Sequence, residues 1–292
     1  MRGLGRMFKI NRTSILATII VAIILGFIFY SMLIKTSISS SNYSLDRAYQ
    51  ESISYLNKTS SHIQYKNPSY DVDPADLLKL HKYIKEEKTR VLNTPGTPYR
   101  ELVTVITYEN ITIVSRKLFN VTMDLPIIWA GMEKSLDELS NLNIKKSLNI
   151  YYDMKLRLYN IVHELNESLK ILKYVREKGI LLDDHNTTIN YSIMVINDTL
   201  NTILEYIKLM EILSSNIENI ENNNTNLTLL KLAESITKQV DMEKLKPFAR
   251  QISMFLTKLS MGEIVKKQKT NMTNTENPGG ISGGYSGSME DD

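Results

Sequence analysis

The run His163-Glu164-x-x-Glu167 is the nearest approach to a catalytic motif in this chain. A zinc-binding helix of that kind needs two His on one face, one turn apart, and the second His is missing. Carboxylate metal sites in helical bundles use a Glu three residues before a His. Here Thr59, Leu78, Asn160 and Leu182 stand three residues before His62, His81, His163 and His185. Asp71-x-Asp73-x-x-Asp76 has the wrong spacing for a calcium loop, and Asp73-Pro74 reads as a helix start. Asp183-Asp184-His185 likewise reads as a turn followed by a helix cap.

The chain has no Cys, which excludes thiol nucleophiles, disulfides and Cys-ligated metals. It has no Gly-rich phosphate loop and no Gly-x-Ser-x-Gly elbow. No catalytic, cofactor-binding or metal-binding residue is therefore assigned, and a non-enzymatic role is expected.

The motif that does recur is Asn-x-Ser/Thr, the acceptor for N-glycosylation. It begins at Asn42, Asn57, Asn110, Asn120, Asn166, Asn186, Asn190, Asn197, Asn223, Asn226 and Asn271. Random placement of the Asn residues after position 34 would give roughly four such matches, so eleven is an excess. Asn11 also matches, on the other side of an apolar run.

That run, Ile15 to Ile34, is uncharged, with Thr18, Tyr30 and Ser31 as its polar interruptions. Twenty helical residues cover the roughly 30 Å hydrocarbon core of a bilayer. Arg2, Arg6, Lys9 and Arg12 precede it with no acid among them, whereas Lys35 is the one charge after it before Asp46. Positive residues stay cytoplasmic, so the N-terminus is expected inside and the C-terminal domain outside. A cleaved secretory signal would share the basic start and the small residues Ser37 and Ser39, but its apolar core is usually about 7–15 residues. An uncleaved signal anchor is the preferred reading.

The elements that must carry these features all read as helices. Leu45, Tyr49, Ile53 and Leu56 recur at helical spacing behind Ser44. Leu77, Leu80, Ile84 and Val91 form the next stripe, closed by Asn93 to Pro98, with Thr97-Pro98 capping the next segment. Tyr99 to Thr122 is rich in β-branched residues, but Leu102, Val105, Ile106, Ile113 and Leu118 fit a helix. Pro126 is expected to break or kink it, with a short helix running on to Leu142. Trp129, the sole Trp, is expected in the bundle core rather than on lipid or a partner.

Two heptad seams come next. The first is Ile144, Leu148, Tyr151, Lys155, Leu158, Val162, Leu165, Leu169 and Leu172. After Gly179 the second is Ile189, Ile193, Ile196, Leu200, Ile203, Ile207, Met210, Ser214 and Ile217. Their short connection makes them antiparallel neighbours. Leu229, Leu232, Ile236 and Val240 define another helix, and Leu245, Phe248, Ile252, Phe255 and Leu259 the last.

The expected fold is all-α: an N-terminal transmembrane helix followed by an elongated extracytoplasmic helical bundle with an antiparallel coiled-coil hairpin. The expected divisions are a cytoplasmic basic arm (1–14), a transmembrane signal anchor (15–34) and a juxtamembrane helical region (35–142). A helical hairpin (143–221), C-terminal helices (222–262) and a disordered Gly/Ser-rich tail (263–292) complete them. Net charge is +3, and the N-terminal arm alone holds four positives, so the rest is near neutral. Nucleic acid is not an expected partner. The expected partners are the membrane and either other proteins or a second copy, met through helical surfaces. These features suggest a glycosylated single-pass cell-surface scaffold, stalk or assembly subunit. The alternative is an extracytoplasmic ligand-binding or sensory module acting through a membrane partner.

Overall fold

The computed structural model describes residues 44–182, 185–223 and 226–261, with the side chains of 218–227 left aside. Ile15–Ile34 and the Gly/Ser-rich tail lie outside the described residues. Among the described residues no helix is long and apolar enough to cross a membrane. The chain divides into two units between Gln50 and Glu51. Of the first, only residues 44–50 are described, where Ser44 Oγ accepts a hydrogen bond from the Arg47 N–H at 3.2 Å.

The described chain is all-α. Its helices are α1 (Leu45–Tyr65), α2 (Pro74–Asn93), α3 (Tyr99–Ser140), α4 (Ile144–Lys178), α5 (His185–Asn223), α6 (Asn226–Gln239) and α7 (Ala249–Ser260). Local chemistry sets several of the boundaries. Asp73 caps α2 by accepting from the Ala75 N–H at 2.8 Å, and Pro74, which has no N–H to satisfy, opens the helix. Helix α3 has Pro98 at its cap position, whose side chain has no acceptor, and Thr97 Oγ1 turns back to the Thr94 carbonyl at 2.8 Å. The last stripe does not begin a helix at Leu245. Lys246–Phe248 is a 3₁₀ turn, and α7 starts at Ala249.

Two ends share a rarer device. At the end of α1 the Asn67 N–H reaches the His62 carbonyl (3.0 Å) and the Lys66 N–H reaches that of Ile63 (3.2 Å). At the end of α3 the Asn143 N–H reaches Glu138 and the Leu142 N–H reaches Leu139, both at 2.9 Å. This crossed pair of bonds is the Schellman arrangement, whose penultimate residue must be left-handed and is usually Gly. Here Lys66 (φ 55°) and Leu142 (φ 61°) occupy it.

Helix α3 organises the packing. It contacts α2, α4 and α7, while α4 packs on α5, α5 on α6, and α6 on α7. Side-chain bonds give the directions. Lys88 to Glu109 and His81 to Thr112 run α2 antiparallel to α3. Lys117 to Glu164 and Ser135 to Ser147 do the same for α3 and α4. Tyr159 to Glu211 and Tyr152 to Ser214 do it for α4 and α5. The α4–α5 connection is pinned to α3. Thr107 Oγ1 accepts from the Ile180 N–H (3.1 Å), and Tyr108 Oη accepts from the Leu182 N–H (3.0 Å). Gly179 ends α4 with an ordinary backbone conformation, and it is Gly for closeness. A Cβ there would lie 2.9 Å from Thr107 Oγ1.

The two seams are largely buried, with Lys155, Val162, Ile193, Ser214 and Ile217 only partly so. Burial also extends beyond them. Met154, Ile161 and Val175 of α4 and Val195, Tyr206, Leu209 and Leu213 of α5 are buried as well. Both helices therefore bury a wider face than a two-stranded seam requires.

Pro126 corrects the expectation of a break. It lies inside α3, which runs unbroken for 42 residues, about 63 Å at 1.5 Å per residue. The Thr122 carbonyl loses its helical donor, yet the helix continues because it is packed against neighbours on both sides of the site. Leu125 and Ile128 are fully buried there. Tertiary burial thus outweighs a local penalty of about 3 kcal/mol. Pro126→Ala should accordingly stabilise the domain by about 1–3 kcal/mol, read from urea or thermal unfolding. A loss of stability instead would mean that Pro126 sets a bend on which the α3 packing depends.

Candidate functional site: a charged groove beside Trp129

Trp129 also departs from expectation. It is half-buried, not in the core. Its ring packs on Phe248 with centroids 5.0 Å apart, and the Lys66 ammonium lies 4.5 Å from its centroid. The helical phase explains this. Leu125, Ile128 and Met132 take the inward positions of α3, which turns Trp129 to the edge.

Beside the indole is an open groove of about 180 Å³. Gln64 and Lys66 come from the end of α1, and Pro247 from the 3₁₀ turn. Met194, Val195, Asp198, Thr199 and Thr202 come from consecutive turns of α5. Thr202 Oγ1 is held between the Asp198 and Lys244 carbonyls at 3.0 and 2.9 Å, and Gln64 Oε1 accepts from Tyr191 Oη at 2.6 Å. The Lys66 ammonium donates to the Gln64 carbonyl at 2.9 Å. Burial alone lowers its pKa, with no carboxylate opposing that shift.

No protein-family model, curated protein or solved structure matches this chain. Function must be read from its own residues.

The described sequons are dispersed over α1, α3, α4, α5 and α6, and no two of them combine into a site. Asn57, Asn120, Asn186, Asn190 and Asn197 are exposed, and Asn110 and Asn166 are half-buried. The side chains of Asn223 and Asn226 are not described, and Asn42 and Asn271 lie outside the described residues. The partner hydroxyls behave oppositely. Of the nine described ones, Thr59, Thr112, Thr122, Ser168, Ser192 and Thr199 are buried, Thr188 and Thr228 are partly buried, and Ser44 is exposed. Positions i and i+2 lie about 200° apart on a helix, so an outward Asn sends its hydroxyl inward. Thr59, Thr112 and Thr122 then bond back to carbonyls of their own helices. One sequon borders the groove: Asp198 and Thr199, the two residues after Asn197, line it.

The other chemistry-bearing residues are bound into the scaffold. Glu164 pairs with Lys117 (2.8 Å), Glu167 pairs with Lys170 (2.9 Å), and His163 is exposed. Asp71 bonds to His62, and Asp76 to Lys79. Among the described residues, no group of three or more His, Asp or Glu is placed to hold a metal ion. His81 bonds to Thr112 at 3.1 Å, and its pKa is lowered by burial and then by the Arg116 charge. Burial also raises the Tyr151 and Tyr206 phenols, whose oxygens have no hydrogen-bond partner by geometry.

Of the groove, the sequence had marked Trp129, as the sole Trp, and the sequon that starts at Asn197. Lys66, Gln64 and Pro247 carried no signal, since nothing in the primary order links them to α5.

Proposed function

We propose that this chain is a single-pass, N-glycosylated cell-surface protein with a structural or assembly role, anchored through Ile15–Ile34. In this reading the N-terminus is cytoplasmic and the helical domain is external. The domain is an elongated bundle whose α4–α5 pair acts as an antiparallel coiled-coil hairpin, projecting from the membrane as a scaffold, stalk or complex subunit. It works by contact with proteins or with a second copy and not by catalysis. One observation carries the proposal furthest: none of the seven described sequon Asn residues is buried. Glycans could therefore occupy these positions without entering the core.

The test has two arms. Protease added to intact cells or spheroplasts should digest the domain from Thr36 onward, and full protection until lysis would overturn the topology. Intact-mass analysis of the native protein should exceed the 33.5 kDa polypeptide by several glycans. A protein at its bare mass would end the glycosylation claim.

The groove beside Trp129 favours a second reading, an external ligand-binding module that acts through a membrane partner.

A further inference from the structure

Lys66 and Asp198 line one groove, yet they form no ion pair with each other or with any other described side chain. Lys66 is half-buried, so its charge has lost part of its water without gaining a carboxylate. Its backbone adds a second cost, because it holds the left-handed position where Gly is the favoured residue. The remaining wall is apolar: the indole of Trp129, Met194 and Pro247.

We propose that the groove binds a small zwitterion, an aliphatic α-amino acid. Its carboxylate would meet the Lys66 ammonium, its ammonium would meet the Asp198 carboxylate, and its side chain would lie against Met194, Pro247 and the edge of Trp129. Lys66 and Asp198, of opposite sign and outside any ion pair, match the two charges of the ligand. Either charge alone would favour an ion of one sign, which the other would repel. The volume of about 180 Å³ restricts the occupant to fragment size.

The chain's single Trp is itself the reporter. A carboxylate that draws the Lys66 ammonium from above the indole changes the ring's surroundings, and hence its emission. The full-length protein in mild detergent is titrated with L-leucine and L-methionine, by Trp fluorescence and by calorimetry. Saturable binding is expected for both. L-leucinamide, which lacks the carboxylate, and 4-methylpentanoate, which lacks the ammonium, should each bind at least about tenfold more weakly.

Lys66→Gly removes the ammonium while relieving the left-handed backbone. It should melt higher than the parent and lose amino-acid binding. Asp198→Asn should weaken amino-acid binding about tenfold. No saturable response by either method, or equal binding of leucine by the parent and Lys66→Gly, would overturn the proposal. So would leucinamide or 4-methylpentanoate binding as well as leucine.

Discussion

Leu200→Asp should unfold the helical domain. Leu200 is 4% exposed on α5, between the buried Ile196 and Ile203. A carboxylate there has no partner and must either lose its water or take up a proton. The expected cost is about 3–5 kcal/mol, a large part of a typical domain's stability. Asn197→Asp, three residues away, places the same charge on an exposed position and should change stability by less than about 0.5 kcal/mol. Circular dichroism with urea titration distinguishes the two. Equal tolerance of both would mean that α5 is not packed along its seam.

Lys88→Met should produce the second large effect. Glu109 is 7% exposed on α3, and its carboxylate is held by the Lys88 ammonium, with Nζ 2.7 Å from Oε1. Breaking a buried ion pair from one side leaves a desolvated charge behind, which costs more than the pair contributes. Lys88 keeps some contact with water, so about 2–4 kcal/mol is expected. The double variant Lys88→Met with Glu109→Leu should recover most of this, because neither charge remains. If the double variant were as unstable as the single one, the loss would lie in lost packing of the Lys88 stem.

The outer helices were legible in the sequence because each buries one stripe. Leu77, Leu80, Ile84 and Val91 on α2 are all buried, as are Leu229, Leu232, Ile236 and Val240, and the stripe from Leu245 to Leu259. Helix α3 was read as helical, but its buried face was not legible, for the opposite reason. It contacts three other helices, so it has no single stripe. Its core positions include Thr104, Thr107, Thr112, Ser115, Thr122 and Ser135, which hydropathy marks as surface. Most are satisfied within the helix: Thr104 donates to the Arg100 carbonyl and Ser115 to that of Ile111. Ile106 and Ile113, which a stripe would place inside, are only partly buried. The groove was illegible because it is assembled from positions 64–66, 129, 194–202 and 247, which tertiary contacts such as Gln64–Tyr191 and Thr202–Lys244 bring together.

The inward turn of the sequon hydroxyls sets an order of events. A transferase that reads Asn and the hydroxyl two residues on needs both within reach of one active site. Where the helices are complete the two face opposite ways, and six of the nine described hydroxyls are enclosed. Any sugar on these residues must therefore be added while the segment is still extended. If the sequons are used, occupancy at the six enclosed sites would be a race between the enzyme and helix closure, with no second chance for a site that loses. The sugar pattern on the mature surface would be a lasting record of which helices formed first.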